Sequence, residues 1–329
     1  MDLTTDYMGL KLSSPIVPGA SPLCDDLAMV RRLEDAGAPA IVMHSLFEEQ
    51  IIGEQMSTHA AVDQPKEYYA EAQSYLPEPE EFHLGPEQYL EQIGKIKDAV
   101  DVPVIGSLNG TSPGGWLEYA TLMAEAGADA LELNIYDLSE DPDEDAAAIE
   151  KRMIDIVHEV KQAVAIPVSV KLAPYYTSMI SVARQLEAAG ADGLVLFNRL
   201  YQPDIDLENL EMIRVNPVGL GDLPLRLRWL GLLHGKFNGS LAATGGVTTA
   251  TEVVKALMAG ADIVQIVSAL LLNGPEYLSG LRRKMVAWLE ENEYESLDQL
   301  RGSMSVDHCP DPSAYQRANY MKTLMSWRM

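Results

Sequence analysis

Residues 243–275 read ATGGVTTATEVVKALMAGADIVQIVSALLLNGP, and this stretch spans a loop, a helix and the strand that follows it. The helical pattern stops at Gly260, a residue type that readily adopts the left-handed conformation in which many helices end. The apolar run IVQIV follows at once and has the composition of a buried strand. The stretch therefore predicts a junction between an amphipathic helix and a β-strand.

The same junction phrase occurs three more times along the chain. Gly37, Gly127 and Gly190 each lie between a helical pattern and a short apolar run, in AGAPA, AGADA and AGADG respectively. A second phrase opens other apolar runs with a proline, which a strand tolerates at its first residue. Pro15 precedes Gly37 by 22 residues, Pro103 precedes Gly127 by 24, and Pro167 precedes Gly190 by 23. Each interval fits one strand, one loop and one helix.

Eight strands result from this repeat, at about 15–19, 40–45, 102–108, 130–135, 167–172, 193–198, 240–244 and 263–268. Alternating strands and helices imply parallel strands with right-handed crossovers, and a count of eight favours an α/β fold of the (β/α)8 TIM-barrel type over an open doubly wound sheet. Two intervals, 46–101 after strand two and 199–239 after strand six, exceed the repeat and are predicted insertions above the site. We predict a single domain over 1–329, with 278–329 as a C-terminal helical extension.

Composition excludes several classes of protein. The 329 residues are 47% hydrophobic and 22% charged, and no charge-free apolar run approaches the length of a membrane helix. The formal charge of -25 disfavours nucleic acid and anionic lipid as partners. Only two cysteines occur, and the first residues lack a basic segment followed by an apolar one. We therefore expect a cytoplasmic protein.

Polar residues and glycines end the predicted strands, which is where functional groups of such barrels lie. Gly245 and Gly246 follow strand seven, and Val267 and Ser268 follow strand eight. Backbone amides at these two places would form a cup for a phosphate group, with the paired glycines preceding a helix. The alternative is a tight turn without a ligand. We favour the phosphate site because both halves are present.

Lys171 lies inside the apolar strand VSVKLAP, where a charge is costly without an anionic partner. We expect its side chain to point into the barrel towards a ligand, although a lysine reaching outward past the last strand bond would also fit. Asn134 and Asn198 end neighbouring strands, where their amides are suited to the edge of a planar ligand.

These residues resemble the FMN-dependent dihydroorotate dehydrogenase family from Leu12 to about Tyr277. The segments SPIVPGASPLC and VKLAPYY are similar to that family's first flavin loop and to the strand that carries its flavin-contacting lysine. The stretch from Ala243 to Pro275 is similar to its phosphate-binding end.

The resemblance implies an FMN-dependent dehydrogenase that passes hydride from a CH–CH donor such as dihydroorotate to the flavin, a reaction of pyrimidine biosynthesis. By position it implies that FMN is bound by Ala20, Ser21, Asn109, Asn134, Lys171, Asn198, Gly245, Gly246, Val267 and Ser268. Lys171 beside the flavin N1/C2 carbonyl would stabilise the negative charge of reduced flavin. We expect Asn134 and Lys171 to belong to the catalytic residues as well.

The chain departs from the family where the catalytic base is expected. Where the family has Asn-Leu-Ser-Cys-Pro-Asn or its serine variant, this chain has Asn134-Ile135-Tyr136-Asp137-Leu138-Ser139. Asp137 falls at the position of the base and is our candidate for that role. It would also serve as the first acidic residue of a helix start, the interpretation that the sequence favours slightly. Tyr136 is a poorer base because the ordinary pKa of a tyrosine is near ~10.

The predicted substrate contacts also differ from the family. His44 replaces a substrate-binding lysine, and QSYLPEPEEFHLGPEQYL replaces an asparagine-rich loop. His44, His83 and Arg199 are the candidates for contacting an anionic substrate, while His44 would fit a core histidine equally well.

Two other functions stay open on the sequence alone. A flavin-free aldolase or isomerase would use Lys171 as a Schiff base and the cup for a sugar phosphate. A flavin-binding module without turnover would act by association.

For the leading function we expect a small-molecule substrate and either a soluble electron acceptor or a partner redox protein, because two cysteines cannot hold an iron–sulfur cluster. Family analogy favours a homodimer. Asp307, His308 and Cys309 are adjacent and cannot easily point at one ion, so we predict a packing tail and no metal site.

Overall fold

The predicted apolar runs are the strands of a β-barrel in the computed structural model. The structure describes residues 1–51, 85–110, 113–135, 141–198, 203–214, 223–317 and 319–326. Eight parallel strands are hydrogen-bonded in one sheet, and the first of them in the chain lies beside the second so that the sheet closes into a (β/α)8 barrel. In chain order these strands are β3 (Ile16–Pro18), β4 (Ile41–Phe47), β5 (Val104–Gly110), β6 (Ala130–Ile135), β7 (Val168–Leu172), β8 (Gly193–Leu196), β11 (Ser240–Thr244) and β12 (Ile263–Ile266). The predicted fold class is confirmed.

Helices surround the barrel and pack their apolar faces on the strands. They are α1 (Leu27–Asp35), α2 (Pro86–Lys97), α3 (Pro113–Glu125), α4 (Ala146–Ala163), α5 (Met179–Ala189), α6 (Leu223–Leu233), α7 (Ala250–Ala259), α8 (Ser268–Asn273) and α9 (Tyr277–Glu291). One continuous apolar core lies between the strands and these helices. Among the described residues, no helix is both long enough and apolar enough to cross a bilayer.

The repeated glycine-containing motif forms the same helix-to-strand junction at each of its four occurrences. Gly37, Gly127, Gly190 and Gly260 all have positive φ angles, between 92° and 122°, so each ends its helix in a conformation that other residues rarely adopt. The aspartate two residues further on, in three of the four joints, accepts a hydrogen bond from the first or second residue of the preceding barrel strand. These bonds are Val104 N to Asp129 Oδ2 (2.7 Å), Val168 N to Asp192 Oδ2 (2.8 Å) and Leu241 N to Asp262 Oδ2 (2.7 Å).

An N-terminal hairpin closes one end of the barrel. Strands β1 (Thr5–Tyr7) and β2 (Leu10–Leu12) pair in antiparallel fashion around Met8 and Gly9, which both have positive φ angles, as a tight hairpin turn requires. Tyr7, Met8 and Leu12 are buried in a second apolar cluster with inward-facing strand residues such as Val42 and Val195. The sequence prediction missed this hairpin, although the alternation in TDYMGLKL is typical of one.

Other described elements lie within the two predicted insertions and after the last barrel helix. The interval 46–101 contains α2, and the interval 199–239 contains α6 and an antiparallel hairpin of β9 (Pro203–Asp206) and β10 (Glu211–Arg214). After α9 come α10 (Leu297–Leu300), a short 3-10 helix (Pro312–Tyr315) and α11 (Asn319–Ser326). The backbone after α10 contacts the barrel helices, with Gly302 N bound to Leu257 O at 3.0 Å and Val306 N to Gly231 O at 3.0 Å. The division into one domain with an extension stays a prediction.

Candidate active site

A polar layer fills the barrel interior above the apolar cluster. Lys171 Nζ of β7 donates to Glu132 Oε1 of β6 at 3.0 Å, and Gln265 Nε2 of β12 donates to Glu132 Oε2 at 2.6 Å. Strands β12 and β6 are separated by three other strands in the sheet, so the second bond crosses the barrel bore. All three side chains therefore point inward, as predicted for Lys171 and contrary to its outward alternative. Sequence analysis missed Glu132 and did not use the Gln265 side chain.

Asn134 lies one inward position above Glu132 on β6 and joins two serines. Its Nδ2 donates to Ser45 Oγ at 2.8 Å and to Ser107 Oγ at 3.2 Å, and the two serine hydroxyls lie 2.8 Å apart. In the sheet register Asn134 is paired with Lys171 on one side and with Asn109 on the other. Three of the predicted residues thus share one level of the barrel, near the carboxyl ends of their strands.

Two acceptor atoms in this layer lack partners. Asn134 Oδ1 and Gln265 Oε1 are buried, and neither accepts a hydrogen bond from any residue in the described ranges. A buried acceptor without a donor costs about 1–3 kcal/mol, so such atoms are commonly satisfied by a ligand or a water molecule. Together with the Lys171 ammonium they offer one donor and two acceptors. The pyrimidine edge of a flavin carries one N–H donor and several acceptors, so the ammonium and one of the two buried acceptors have matching partners there.

The loop after β11 has the backbone form that the paired glycines predict. Gly245 and Gly246 have φ angles of 79° and 71°. A Cβ at Gly245 would meet Arg226 Nη2 at 2.6 Å, so the glycine lets the loop lie directly on this guanidinium. Arg226, from α6, is 3% exposed, and its Nε donates to Thr244 O. The sequence analysis missed Arg226, and the only signal for it is a charge within the apolar helix pattern LPLRLRWLGLL.

The start of α7 is already capped by the protein. Glu252 Oε2 accepts from Thr248 N at 2.7 Å and from Thr249 N at 2.8 Å, and Thr249 Oγ1 accepts from Glu252 N. Partial burial opposes ionisation of Glu252, but these hydrogen bonds outweigh it and hold its pKa below the ordinary value. An anion near this loop would therefore meet the amides of Gly245 and Gly246 rather than the helix start.

The first loop packs closely on strand β12. Gly19 N donates to Ile266 O at 2.9 Å, and a Cβ at Gly19 would meet Val267 Cγ2 at 2.9 Å. This brings Ala20 and Ser21 beside the end of β12, where Val267 and Ser268 begin α8. Ser21 is buried and Ala20 is half-buried. Asn198 is the second residue after β8, is half-buried, and donates its backbone N–H to Leu172 O at 2.8 Å.

His44 lies at an irregularity of β4 and contacts the first loop. The register of β4 against β5 shifts between Val42 and Ser45, and such bulges redirect side chains. His44 Nδ1 lies 2.6 Å from Asp25 Oδ1, and its ring packs edge-on against Tyr89. Cys24 Sγ is 3.7 Å from His44 Nδ1, and burial, together with the Asp25 charge, raises the pKa of Cys24 to about 12 against the effect of an N–H donor from His44. His44 is therefore neither a plain core residue nor an unpaired anion contact.

Four residues of the sequence prediction lie outside the described residues. They are Asp137, the candidate base, its neighbour Tyr136, and the candidate anion contacts Arg199 and His83. The described structure bears on Asp137 only through its neighbours. Strand β6 ends at Ile135, and α4 begins at Ala146 with Asp145 as its N-cap, accepting from Ala147 N. Asp137 therefore precedes the N-cap by eight residues, too far along the chain to be the acidic residue of the first helical turn.

Comparison with known proteins identifies relatives over most of the chain. A family model described as dihydroorotate dehydrogenase matches residues 82–289. A protein of Methanocaldococcus jannaschii named "Dihydroorotate dehydrogenase B (NAD(+)), catalytic subunit" is 27% identical over 91% of this chain and 97% of its own length. Proteins of the same name from Thermoplasma acidophilum (26% identical, 92% and 98% covered) and Pyrococcus abyssi (28%, 91% and 98%) are similar to the same extent.

Proposed function

This chain belongs to the dihydroorotate dehydrogenase family and is an oxidoreductase that acts on a CH–CH donor, and from this premise we propose that it binds FMN at the carboxyl ends of its barrel strands. Members of this family are flavoproteins. The comparisons give no support to a flavin-free aldolase or isomerase or to a module without turnover.

The observation that carries the proposal is the polar layer of the barrel. Lys171 offers a cation, and Asn134 and Gln265 offer acceptors that no described residue satisfies. A buried layer of this kind is costly unless a ligand completes it. We therefore assign Asn134, Lys171 and Asn109 to the ring end of the FMN site, with Gln265 as an addition, and Ala20, Ser21 and Asn198 to its sides.

The phosphate end would be held by amides of Gly245, Gly246, Val267 and Ser268. Arg226 adds a positive charge beneath Gly245, where the glycine permits close approach. An ammonium or guanidinium near a phosphate strengthens its hydrogen bonds, since both partners are then charged. This charge matters in a chain whose formal net charge is -25.

Hydrogen bonds fix the side chains of the polar layer in place, where they can stabilise the negative charge that develops during the reaction. Bound FMN would supply the hydride acceptor. Lys171 is held in place by Glu132, so its ammonium is oriented before any substrate arrives, and preoriented charge is the main electrostatic source of catalysis. Glu132 in turn is held by Gln265 from across the bore. Asn134 is fixed by two serine hydroxyls.

We propose that Asp137 removes the proton from the substrate carbon. It is the second residue after the end of β6, and strand ends of this kind supply the functional groups of such barrels. Its distance along the chain from the start of α4 supports this role over that of an acidic residue in the first turn of that helix. Arg199 is proposed as a contact for an anionic substrate, and His44 would contribute only through Nε2 because Nδ1 is bonded to Asp25.

The substrate is a small molecule with a CH–CH bond to oxidise, and we propose dihydroorotate or a related dihydropyrimidine. We further propose that electrons leave through a partner redox subunit or another soluble acceptor, since the relatives are named catalytic subunits. A cytoplasmic location is consistent with two free cysteines, Cys24 and Cys309. A homodimer stays a prediction.

An anaerobic titration tests the proposed function. We expect the purified protein to carry FMN and its flavin absorbance to bleach when dihydroorotate, or a member of a dihydropyrimidine panel, is added. A protein that retains no flavin would overturn the cofactor assignment. A yellow protein that no donor in the panel bleaches would overturn the substrate class and leave the FMN site standing.

The rate of flavin reduction in the same titration tests whether Asp137 acts as the base. Asp137→Asn should retain flavin but slow its reduction by about 10²–10⁴-fold, the usual contribution of a general base. Asp143→Asn is the matched control, because Asp143 is an exposed aspartate of the following acidic segment. Equal reduction rates in the two variants would eliminate Asp137 as the base.

A further inference from the structure

Cys24, Asp25 and His44 form a compact cluster of three different ligand types beside the barrel mouth. Their Sγ, Oδ1 and Nδ1 atoms belong to the first loop and to the bulge of β4, and all lie within 4.8 Å of one another. Cys24 is buried, whereas Asp25 and His44 are half-buried. We propose that these three side chains bind a divalent metal ion of the zinc type, a site additional to the proposed flavin site.

The distances between the ligand atoms are close to those of a tetrahedral site. Zinc bonds of about 2.0–2.3 Å imply separations of roughly 3.6 Å for S···N and S···O and roughly 3.3 Å for N···O. Cys24 Sγ lies 3.7 Å from both His44 Nδ1 and Asp25 Oδ1. The Nδ1 to Oδ1 separation is 2.6 Å, so this edge must open by about 0.7 Å when the ion replaces the shared proton. Two edges of the triangle are already in place.

The arrangement differs from that of a catalytic relay. A relay of cysteine, histidine and aspartate places the imidazole between the other two groups and uses both of its ring nitrogens. Here the thiol and the carboxylate both approach Nδ1, at 3.7 Å and 2.6 Å. Three atoms that converge on one point are suited to an ion rather than to proton transfer along a line.

Neighbouring groups support the ligands in the way that outer-shell residues of metal sites do. The backbone N–H of His44 donates to Cys24 Sγ at 3.0 Å, a bond that stabilises a thiolate. Gln92 Nε2, from α2, donates to Cys24 O at 3.0 Å and to Asp25 O at 3.1 Å, which fixes the loop. Tyr89 OH donates to His44 O at 2.8 Å. These side chains thus fix the backbone of all three ligand residues by hydrogen bonds to their carbonyl oxygens.

The donor set selects the kind of ion. One sulfur, one nitrogen and one oxygen suit zinc and similar borderline cations, whereas magnesium and calcium prefer oxygen alone. With three protein ligands, a tetrahedral ion keeps one position for water or another ligand. The partial exposure of Asp25 and His44 places that position on the accessible side of the cluster.

Zinc content and coordination of the whole purified protein test the site. We expect the protein, after incubation with zinc chloride and dialysis, to retain about one equivalent of zinc per chain by elemental analysis. X-ray absorption at the zinc edge should show one sulfur at about 2.3 Å together with lighter ligands. Cys24→Ser should weaken zinc binding more than about 100-fold, beyond the 10–100-fold loss typical of an outer-shell change.

Cys309→Ser is the matched control and should keep the full zinc content, because Cys309 lies in the C-terminal segment. Asp25→Asn and His44→Gln give two further readings if Cys24→Ser does not fold, as judged by circular dichroism. Retention of zinc in all three ligand variants, a zinc spectrum without sulfur, or no zinc retained by the wild-type protein would each overturn the site.

Discussion

At the scale of single residues, the Glu132–Lys171 pair is the central charge arrangement of the barrel. Glu132 is fully buried and Lys171 is 9% exposed, so each charge depends on the other for its solvation. A buried pair adds little stability relative to apolar residues, but removing one partner leaves an uncompensated charge and is strongly destabilising. The pair is therefore better explained by a role in orienting Lys171 than by stability.

Glu132→Gln tests this dependence. The substitution keeps the shape of the side chain but removes the carboxylate that faces Lys171, so we expect the free energy of unfolding to fall by about 3–5 kcal/mol. Urea denaturation measures the change. Glu91→Gln is the control, because Glu91 pairs with Lys95 on an exposed helix surface, where such a pair contributes little. Similar unfolding midpoints in the two variants would contradict the buried-pair argument.

Several of these residues could be predicted from sequence and others could not. Lys171 and Asn134 stand out because a charge or amide in an apolar strand needs an internal partner. Glu132 precedes Asn134 by two residues and carries the same signal, but its partner Gln265 lies 133 positions away, and sequence shows no such contact. Cys24 and His44 lie 20 residues apart, and the sequence likewise shows no contact between them.

At the scale of elements, the aspartates of the repeated phrase act as clamps between successive units. Asp192 accepts from Val168 N at 2.8 Å and from Lys161 Nζ at 2.7 Å, so it ties the joint after α5 to the start of β7 and to α4. Asp129 repeats this pattern with Val104 and Lys97. The glycine of the repeated motif predicts from sequence alone where each helix ends. The hydrogen bonds of its aspartate could not be predicted, because their partners lie on neighbouring elements distant in sequence.

Asp192→Ala should lower the free energy of unfolding by about 1–3 kcal/mol, because the backbone N–H of Val168 loses its acceptor next to the barrel core. The shift of the urea midpoint gives the value. Asp155→Ala is the matched control, since Asp155 pairs with Lys151 on an exposed part of α4 and should change stability by less than about 1 kcal/mol. If both substitutions shift the midpoint equally, the clamp contributes nothing beyond a surface ion pair.

The strands could be located from sequence within a few residues because each is an apolar run bounded by proline or glycine. Strand β6, for example, was predicted at 130–135 and spans Ala130–Ile135. The N-terminal hairpin was missed because its strands have three residues each, so the alternation in TDYMGLKL is a weaker signal than the longer apolar runs of the barrel. Its role in closing the barrel depends on Tyr7 and Met8 sharing one buried cluster with residues of seven barrel strands.

At the scale of the whole molecule, the segment after α9 is attached to the barrel through a half-buried histidine. His234, at the end of α6, lies against Gly260 and Gly302, where a side chain would clash with its ring. Its ring centroid is 6.0 Å from that of His308, and Ser305 Oγ lies 2.9 Å from His308 Nδ1. Burial lowers the pKa of His234, and the charges of His308 and Arg301 add to this against the effects of Gly260 and Asp307.

This shift predicts how stability depends on pH. In the unfolded chain His234 takes up its proton near pH ~6.5, whereas the folded protein binds that proton only at lower pH. Between the two values the unfolded state holds more protons, so the free energy of unfolding falls as pH falls below about 6.5. The contribution of His234 is fully present above that pH.

Urea midpoints at pH values on either side of 6.5 should therefore differ less in His234→Gln than in the wild-type protein. Both proteins keep the same carboxylates, so the difference between their pH dependences reports on His234 and its coupling to the groups that face it. His158→Gln is the control, because His158 is exposed on α4 and should leave the wild-type pH dependence unchanged. The attachment would be independent of His234 protonation if His234→Gln and His158→Gln lost equal stability on acidification.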